Sequence, residues 1–352
     1  MKRVPFLAFV VAFAGAVFIA CGDDDPEDSG GVNTPAAGAT GETTPSDDDQ
    51  IVVITTVAPL TSLAENIAGT SARVIGVVPE GTNSHTFEPP PSVATTLADA
   101  DIIFVNGLSL EEPTIELAEA NKPNSTEIVA LGEMTISEDD WKFDFSFPEE
   151  NGDPNPHLWP NVPFALRYAE IMHEKLVALD PDHAVIYDAN YAELKSRLEA
   201  LDEAIETAAQ TVPEENRRLL TYHDSWAYWA ETYGFEVIGA AQPSDFSEPS
   251  ASDVASLIDQ VNEEAVPAIF GSEVFPSDTL ETIAAETGAE YVDDLRDDDL
   301  PGEPGDDRHS YIGLMLTDME IMLPALGGNT DALAGIDGGL VFEGESTAEY
   351  PQ

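Results

Sequence analysis

Four side chains in this sequence suit one kind of chemistry. His85, His157 and His223 each carry an imidazole nitrogen and Asp293 a carboxylate, a donor set that Zn²⁺ accepts in a tetrahedral shell. The chain has 6 histidines in all. The other three sit in undemanding settings: His173 on an amphipathic helical pattern, His183 in the first turn of a helix, His309 on a charged loop. The string His223-Asp224-Ser225 hints at a hydrolytic triad. Neighbours on a strand-to-helix turn diverge, however, and triads are assembled from separated segments.

All four residues fall where strand patterns end. Strand-like runs at 51–57, 72–78, 101–107 and 127–132 alternate with helical patterns, and a second set follows at 218–222, 235–240, 268–274 and 289–292. His85 lies on the loop after the second run, ahead of a helix that opens near Val93 behind Pro91 and Ser92. His157 precedes a helix over Val162 to Leu179, His223 ends the fifth strand, and Asp293 ends the eighth. Asp294 is adjacent, and because successive strand side chains face opposite ways only one of the two aspartates can face the cleft. In open α/β sheets the carboxyl ends of the strands are where ligands bind.

These patterns predict an α/β chain of two lobes, each with a four-stranded parallel sheet flanked by helices, joined by one long rigid helix. The joining helix is the pattern over Asp180 to Gln210, which would span about 45 Å. The predicted boundaries are 1–20 for a signal peptide, 21–50 for an acidic tether, 51–180 and 212–328 for the lobes, 181–211 for the linker helix and 329–352 for a loose tail. Residues 135–156, rich in Asp and Glu around Trp141, Phe143, Phe145 and Phe147, follow no period and read as a long solvated loop.

The amino terminus sets the compartment. Lys2 and Arg3 precede an uncharged apolar run that stops at Cys21, the pattern of an export signal. Phe18-Ile19-Ala20-Cys21 resembles a bacterial lipobox, with Cys21 as the lipidated residue. As Cys21 is the only cysteine, the exported chain has no disulfide and rests on its core. A net charge of -55 argues against nucleic acid and anionic membrane surfaces as partners, because like charges repel. Adaptation to high salt explains that acidity equally well.

The segments EGTNSHTFEPPPS, ADADIIFVNGLSLE, NPHLWPNV, LTYHDSWAYWAETYG, SASDVASLI, IFGSEVFPS and AAETGAEYVDDL resemble, in order and spacing, the cluster A-I solute-binding lipoproteins of bacterial zinc and manganese ABC importers. The resemblance covers about residues 51–328. It implies a binding protein and not an enzyme, holding its metal between two lobes through His85, His157, His223 and Asp293. Glu273 matches a recurrent glutamate of that family, which implies a role in orienting a ligand imidazole. Histidine at position 223, where manganese and iron binders usually have glutamate, implies Zn²⁺ as the transported ligand, with Mn²⁺ as the alternative. The implied partners are a membrane permease with its cytoplasmic ATPase and, through the lipid on Cys21, the membrane. The implied location is the outer face of the cytoplasmic membrane or the periplasm, and a monomer is expected. Two features depart from the pattern: the loop before His157 has no histidine, and Asp294 stands where a serine is common. The reading from another class is a zinc hydrolase, which would need an open coordination position for water that four protein ligands close.

Overall fold

A computed structural model of the chain describes residues 50–272, 277–344 and 346–350. The expected signal peptide, Cys21, the tether up to Asp49 and Glu273 lie outside the described residues.

The first lobe runs β1 (Ile51–Thr55), α1 (Ala58–Ala68), β2 (Ala72–Gly76), α2 (Val93–Ala98), β3 (Ile102–Val105), α3 (Glu112–Asn121), β4 (Glu127–Ala130), α4 (Leu131–Thr135) and α5 (Val162–Leu179). After α6 (Ala184–Ala209) the second lobe repeats the plan with β5 (Arg218–Thr221), α7 (Ala227–Tyr233), β6 (Glu236–Ala240), α8 (Ala251–Glu264), β7 (Ala268–Ser272), α9 (Asp278–Thr287), β8 (Glu290–Leu295) and α10 (Tyr311–Ala325). The sheets are parallel and share one topology, β2-β1-β3-β4 and β6-β5-β7-β8. In each, the order reverses beside the first strand. That reversal opens a crevice past the carboxyl ends of the strands.

The inner strands read as apolar runs because both their faces are covered. β3, Ile-Ile-Phe-Val, is buried at every position. α6 is an amphipathic spine of 26 residues, about 39 Å long. Leu194, Leu198, Leu201, Ile205 and Ala208 recur at helical spacing and are fully buried, and the helix packs on α1 and α5 of one lobe and on α7 and α10 of the other. The principal core is therefore shared, running from Val53 and Phe104 through α6 to Trp229, Phe270 and Met315. Polar contacts repeat the link: the Trp159 indole N–H donates to the Asp297 carbonyl at 2.7 Å, and the Tyr311 hydroxyl to the Trp159 carbonyl at 2.7 Å.

The carboxyl-terminal segment corrects the expectation of a loose tail. From the second lobe it runs along α6, where Arg197 donates to the Gly339 carbonyl at 3.2 Å, and returns to the first lobe. The Val341 N–H donates to Asn66 Oδ1 at 2.9 Å, and those of Thr347 and Ala348 to Glu65 Oε1 at 2.5 and 3.0 Å. Glu349 forms a parallel bridge with Ile75 of β2 and a two-point ion pair with Arg73, at 2.6 and 3.0 Å. Leu333, Ile336 and Val341 pack on the main core, and Tyr350 on the cluster of Ala58, Leu300 and Leu314. The remaining hold is hydrogen bonds and an ion pair to side chains of the first lobe and α6, which leave no periodic signal in sequence.

Removing residues 341–352 would take away the two donors to Glu65, the Arg73–Glu349 pair and the bridge to β2, a loss of about 1–3 kcal/mol at the roughly 0.5–1.5 kcal/mol net that each hydrogen bond contributes. The urea midpoint of the metal-free protein is expected to fall by a corresponding amount, and an unchanged midpoint would show that the segment contributes nothing to stability.

Candidate metal centre

Three of the four predicted ligands meet. His85 stands in a short 3-10 turn, Ser84–Thr86, on the loop after β2, where Asn83 Oδ1 accepts its backbone N–H at 3.0 Å. His157 lies ahead of α5, and His223 two residues past β5. The Nε2 atom of His85 is 3.0 Å from Nε2 of His157 and 3.0 Å from Nε2 of His223. His157 and His223 are buried, while His85 is partly exposed and faces the way in.

The environment sets the protonation of each ring. Asn155 donates through Nδ2 to the Asp144 carboxylate at 3.0 Å and the Asp224 carbonyl at 2.8 Å, so its Oδ1 faces His157 and accepts the Nδ1 proton at 2.8 Å. The lone pair of His157 is thereby left on Nε2, pointing at the other two rings. Burial first, then the neighbouring imidazoles, hold His157 and His85 well below the ordinary imidazole range, so both are neutral at physiological pH. His223 behaves differently. Burial pulls its pKa down, but the Asp297 carboxylate in an ion pair at Nδ1 outweighs burial and raises it to about 9. In the metal-free protein His223 is therefore an imidazolium, whose Nε2 proton faces the lone pair on His85 Nε2, 3.0 Å away.

The fourth predicted ligand is corrected. Asp293 and its neighbour Asp294 are both exposed on β8. The carboxylates gathered with His223 are Asp297 and Asp298, all three buried. β8 continues to Leu295 and its register against β7 shifts between Phe270 and Ser272. The loop beyond the strand, and not the strand itself, thus brings acid to the crevice. Asp297 is committed to His223. Asp298 accepts from the Ser84 hydroxyl at 2.7 Å through Oδ2, while its Oδ1 is buried without a hydrogen bond. Burial, reinforced by the charge of Asp297, raises Asp298 to about 7. The run Asp297-Asp298-Asp299 was a readable signal, since it follows the last strand directly.

Sequence reasoning also missed the walls. Part of the 135–156 loop is solvated, with Glu138, Asp139, Asp140, Glu149, Glu150 and Asp153 exposed. Its middle turns inward: the Ser146 N–H donates to Asp224 Oδ2 at 2.8 Å, and Phe147 packs its ring 5.6 Å from His85 and 5.7 Å from His157. Asp144 beside Asp224 is raised to about 9 by burial and by that second carboxylate, so the pair retains a proton and adds less negative charge than its composition implies.

Two parallel-sheet lobes on a rigid spine helix, with imidazoles and carboxylates gathered past the strand ends of both, define a two-lobed metal-centre protein. The family model described as zinc-uptake complex component A, periplasmic (ZnuA), matches residues 53–323, and the chain belongs to that family. The manganese-binding lipoprotein MntA of Halalkalibacterium halodurans is 29% identical over 327 residues, 93% of this chain and 99% of that protein. The iron-binding protein YfeA of Yersinia pestis is 29% identical over 268 residues, 76% of this chain and 84% of its own length. Among solved structures, the periplasmic zinc-binding protein TroA of Treponema pallidum superposes with a TM-score of 0.71 at 26% identity, covering 79% of this chain and 99% of that one.

The signs of the shifts give a pH profile. His223, raised, stabilises the metal-free fold fully below about 6.5 and loses that contribution as pH rises through about 9. His85 and His157, lowered, act oppositely, costing stability as pH falls below 6.5. A divalent cation entering at pH 7.5 should displace about one proton, that on His223. Calorimetry in buffers of different ionisation enthalpy is expected to record this release in the wild type, and a much smaller one in Asp297→Asn.

Proposed function

We propose that this chain is the extracytoplasmic receptor of an ABC importer, which captures Zn²⁺ between its lobes and delivers it to a membrane permease driven by a cytoplasmic ATPase. One observation carries the reading: His85 Nε2 lies 3.0 Å from Nε2 of His157 and 3.0 Å from Nε2 of His223, and the three imidazoles, drawn from both lobes, offer ligand atoms within 4.8 Å of one another, an arrangement whose mutual repulsion only a proton or a cation relieves. His85, His157 and His223 supply three nitrogens. Asp298, through its unbonded Oδ1, supplies the oxygen, and Asp297 orients His223 from behind, as carboxylates do behind metal-bound imidazoles.

Three nitrogens and one oxygen favour Zn²⁺ over Mn²⁺, which prefers oxygen-rich shells of higher coordination number. The names of the relatives divide between zinc, manganese and iron, so the donor set is the better guide to the cargo. Four protein ligands leave no position for an activated water, which supports binding and release without bond cleavage. Among the described residues no helix is long and apolar enough to cross a membrane. Attachment through a lipid on Cys21, with the acidic segment after it as a tether, supplies the membrane link, and the receptor acts as a monomer.

The protein from residue 51, stripped with chelator and titrated separately with Zn²⁺ and Mn²⁺, is expected to show one tight zinc site and much weaker manganese binding. His223→Ala and Asp298→Asn should each weaken zinc at least tenfold, whereas Asp293→Asn should leave it unchanged. Tight manganese with weak zinc would reassign the cargo, and loss of affinity in Asp293→Asn alone would return that residue to the shell.

A further inference from the structure

The three imidazoles are not held alike. His157 is oriented through Nδ1 by Asn155 and His223 through Nδ1 by Asp297. Nδ1 of His85 makes no hydrogen bond among the described residues. Its ring lies instead against Phe246, with centroids 4.4 Å apart and planes 16° from parallel, and Phe147 flanks the stacked pair, 5.6 Å from His85 and 6.1 Å from Phe246. The stack joins the lobes, because Phe246 belongs to the loop between β6 and α8.

A cavity of about 120 Å³ opens over this stack, lined by His85, Leu108, Ser109, Phe147, Asp153 and Phe246 among others. Four non-glycine residues have positive φ among those described, and three of them, Leu108 at 53°, Ser109 at 64° and Phe246 at 55°, line this one cavity. Residues other than glycine take that conformation at a cost, and such strain gathers where surrounding structure serves function. For Phe246 the cost is met by a turn in which its N–H donates to the Pro243 carbonyl at 2.9 Å, and the result is a phenyl ring aimed across the crevice at His85.

We propose that Phe246 is the positioning residue for His85 and the cover over the metal: its ring fixes the imidazole plane by stacking, in place of the hydrogen bond the other two ligands have, and must swing aside for the ion to enter or leave. The inference rests on the receptor reading above. A stacked face resists rotation of the imidazole out of its plane but permits sliding, so the ligand nearest the opening is the one that can yield without breaking a buried hydrogen bond. Exchange of the ion is then governed by the aromatic contact, while His157 and His223 stay in place.

Zinc-loaded wild type and Phe246→Ala, Phe246→Leu and Phe246→Tyr variants, with Phe143→Ala as a control outside the cavity, are mixed with excess chelator, and zinc release is followed in a stopped-flow instrument with a zinc indicator. Phe246→Ala is expected to release zinc about tenfold faster. Phe246→Tyr should restore the wild-type rate because it keeps the ring, and Phe246→Leu should not, because it keeps only apolar bulk. Thermal midpoints of the metal-free proteins should agree, which separates ligand positioning from general loosening. Wild-type release from Phe246→Ala, or a Leu variant as slow as the Tyr variant, would overturn the role. A wild type that takes up neither Zn²⁺ nor Mn²⁺ would instead overturn the receptor reading, and this inference with it.

Discussion

Three imidazole lone pairs are brought together in a site largely closed to water, and the rest of the structure answers to that constraint. Left alone, the nitrogens would repel, and burial penalises the charge that would relieve them. Asp297 resolves the conflict by stabilising a single proton on His223, so the cluster already holds one positive charge among its imidazoles. Burial keeps His85 and His157 neutral and ready to donate. In the receptor proposed above, capture is an exchange of one cation for another at a prepared position, which limits the rearrangement that binding demands.

That economy suits the architecture. The core passes without interruption through α6, and the loop beyond β8 hydrogen-bonds to Trp159, Ser84 and Gly81 of the first lobe. Lobes joined by packed apolar side chains cannot part widely without exposing them. The residues with positive φ, Leu108, Ser109 and Phe246, all lie on the loops that rim the opening.

The sequence disclosed the parts that obey a period. Strands of Val, Ile and Phe, helices with a buried stripe and the turn residues between them gave two four-stranded lobes on a spine, with α5 over the predicted Val162 to Leu179. His85, His157 and His223 were legible because histidine is scarce here and each sits past a strand end or ahead of a helix. What was not legible depended on loop geometry. Asp293 carried the expected chemistry at the expected strand, but the chain runs on to Asp297 and Asp298 before it turns into the crevice. Phe147, Asp144 and Phe246 lie on aperiodic segments whose paths are set by tertiary contacts, and the carboxyl-terminal return is held largely by its backbone groups meeting side chains distant in sequence, such as Glu65 and Asn66.

That return alters the exposed margin of the first sheet. β2 is an outer strand, with β1 on one side only. Its free side is met by Glu349, whose N–H donates to the Val74 carbonyl at 3.0 Å and whose carbonyl accepts from the Gly76 N–H at 2.9 Å. An unpaired strand edge is a template on which a neighbouring chain can add itself. Here the chain's own end occupies that template, so the first sheet carries a built-in guard against sheet-to-sheet association between copies.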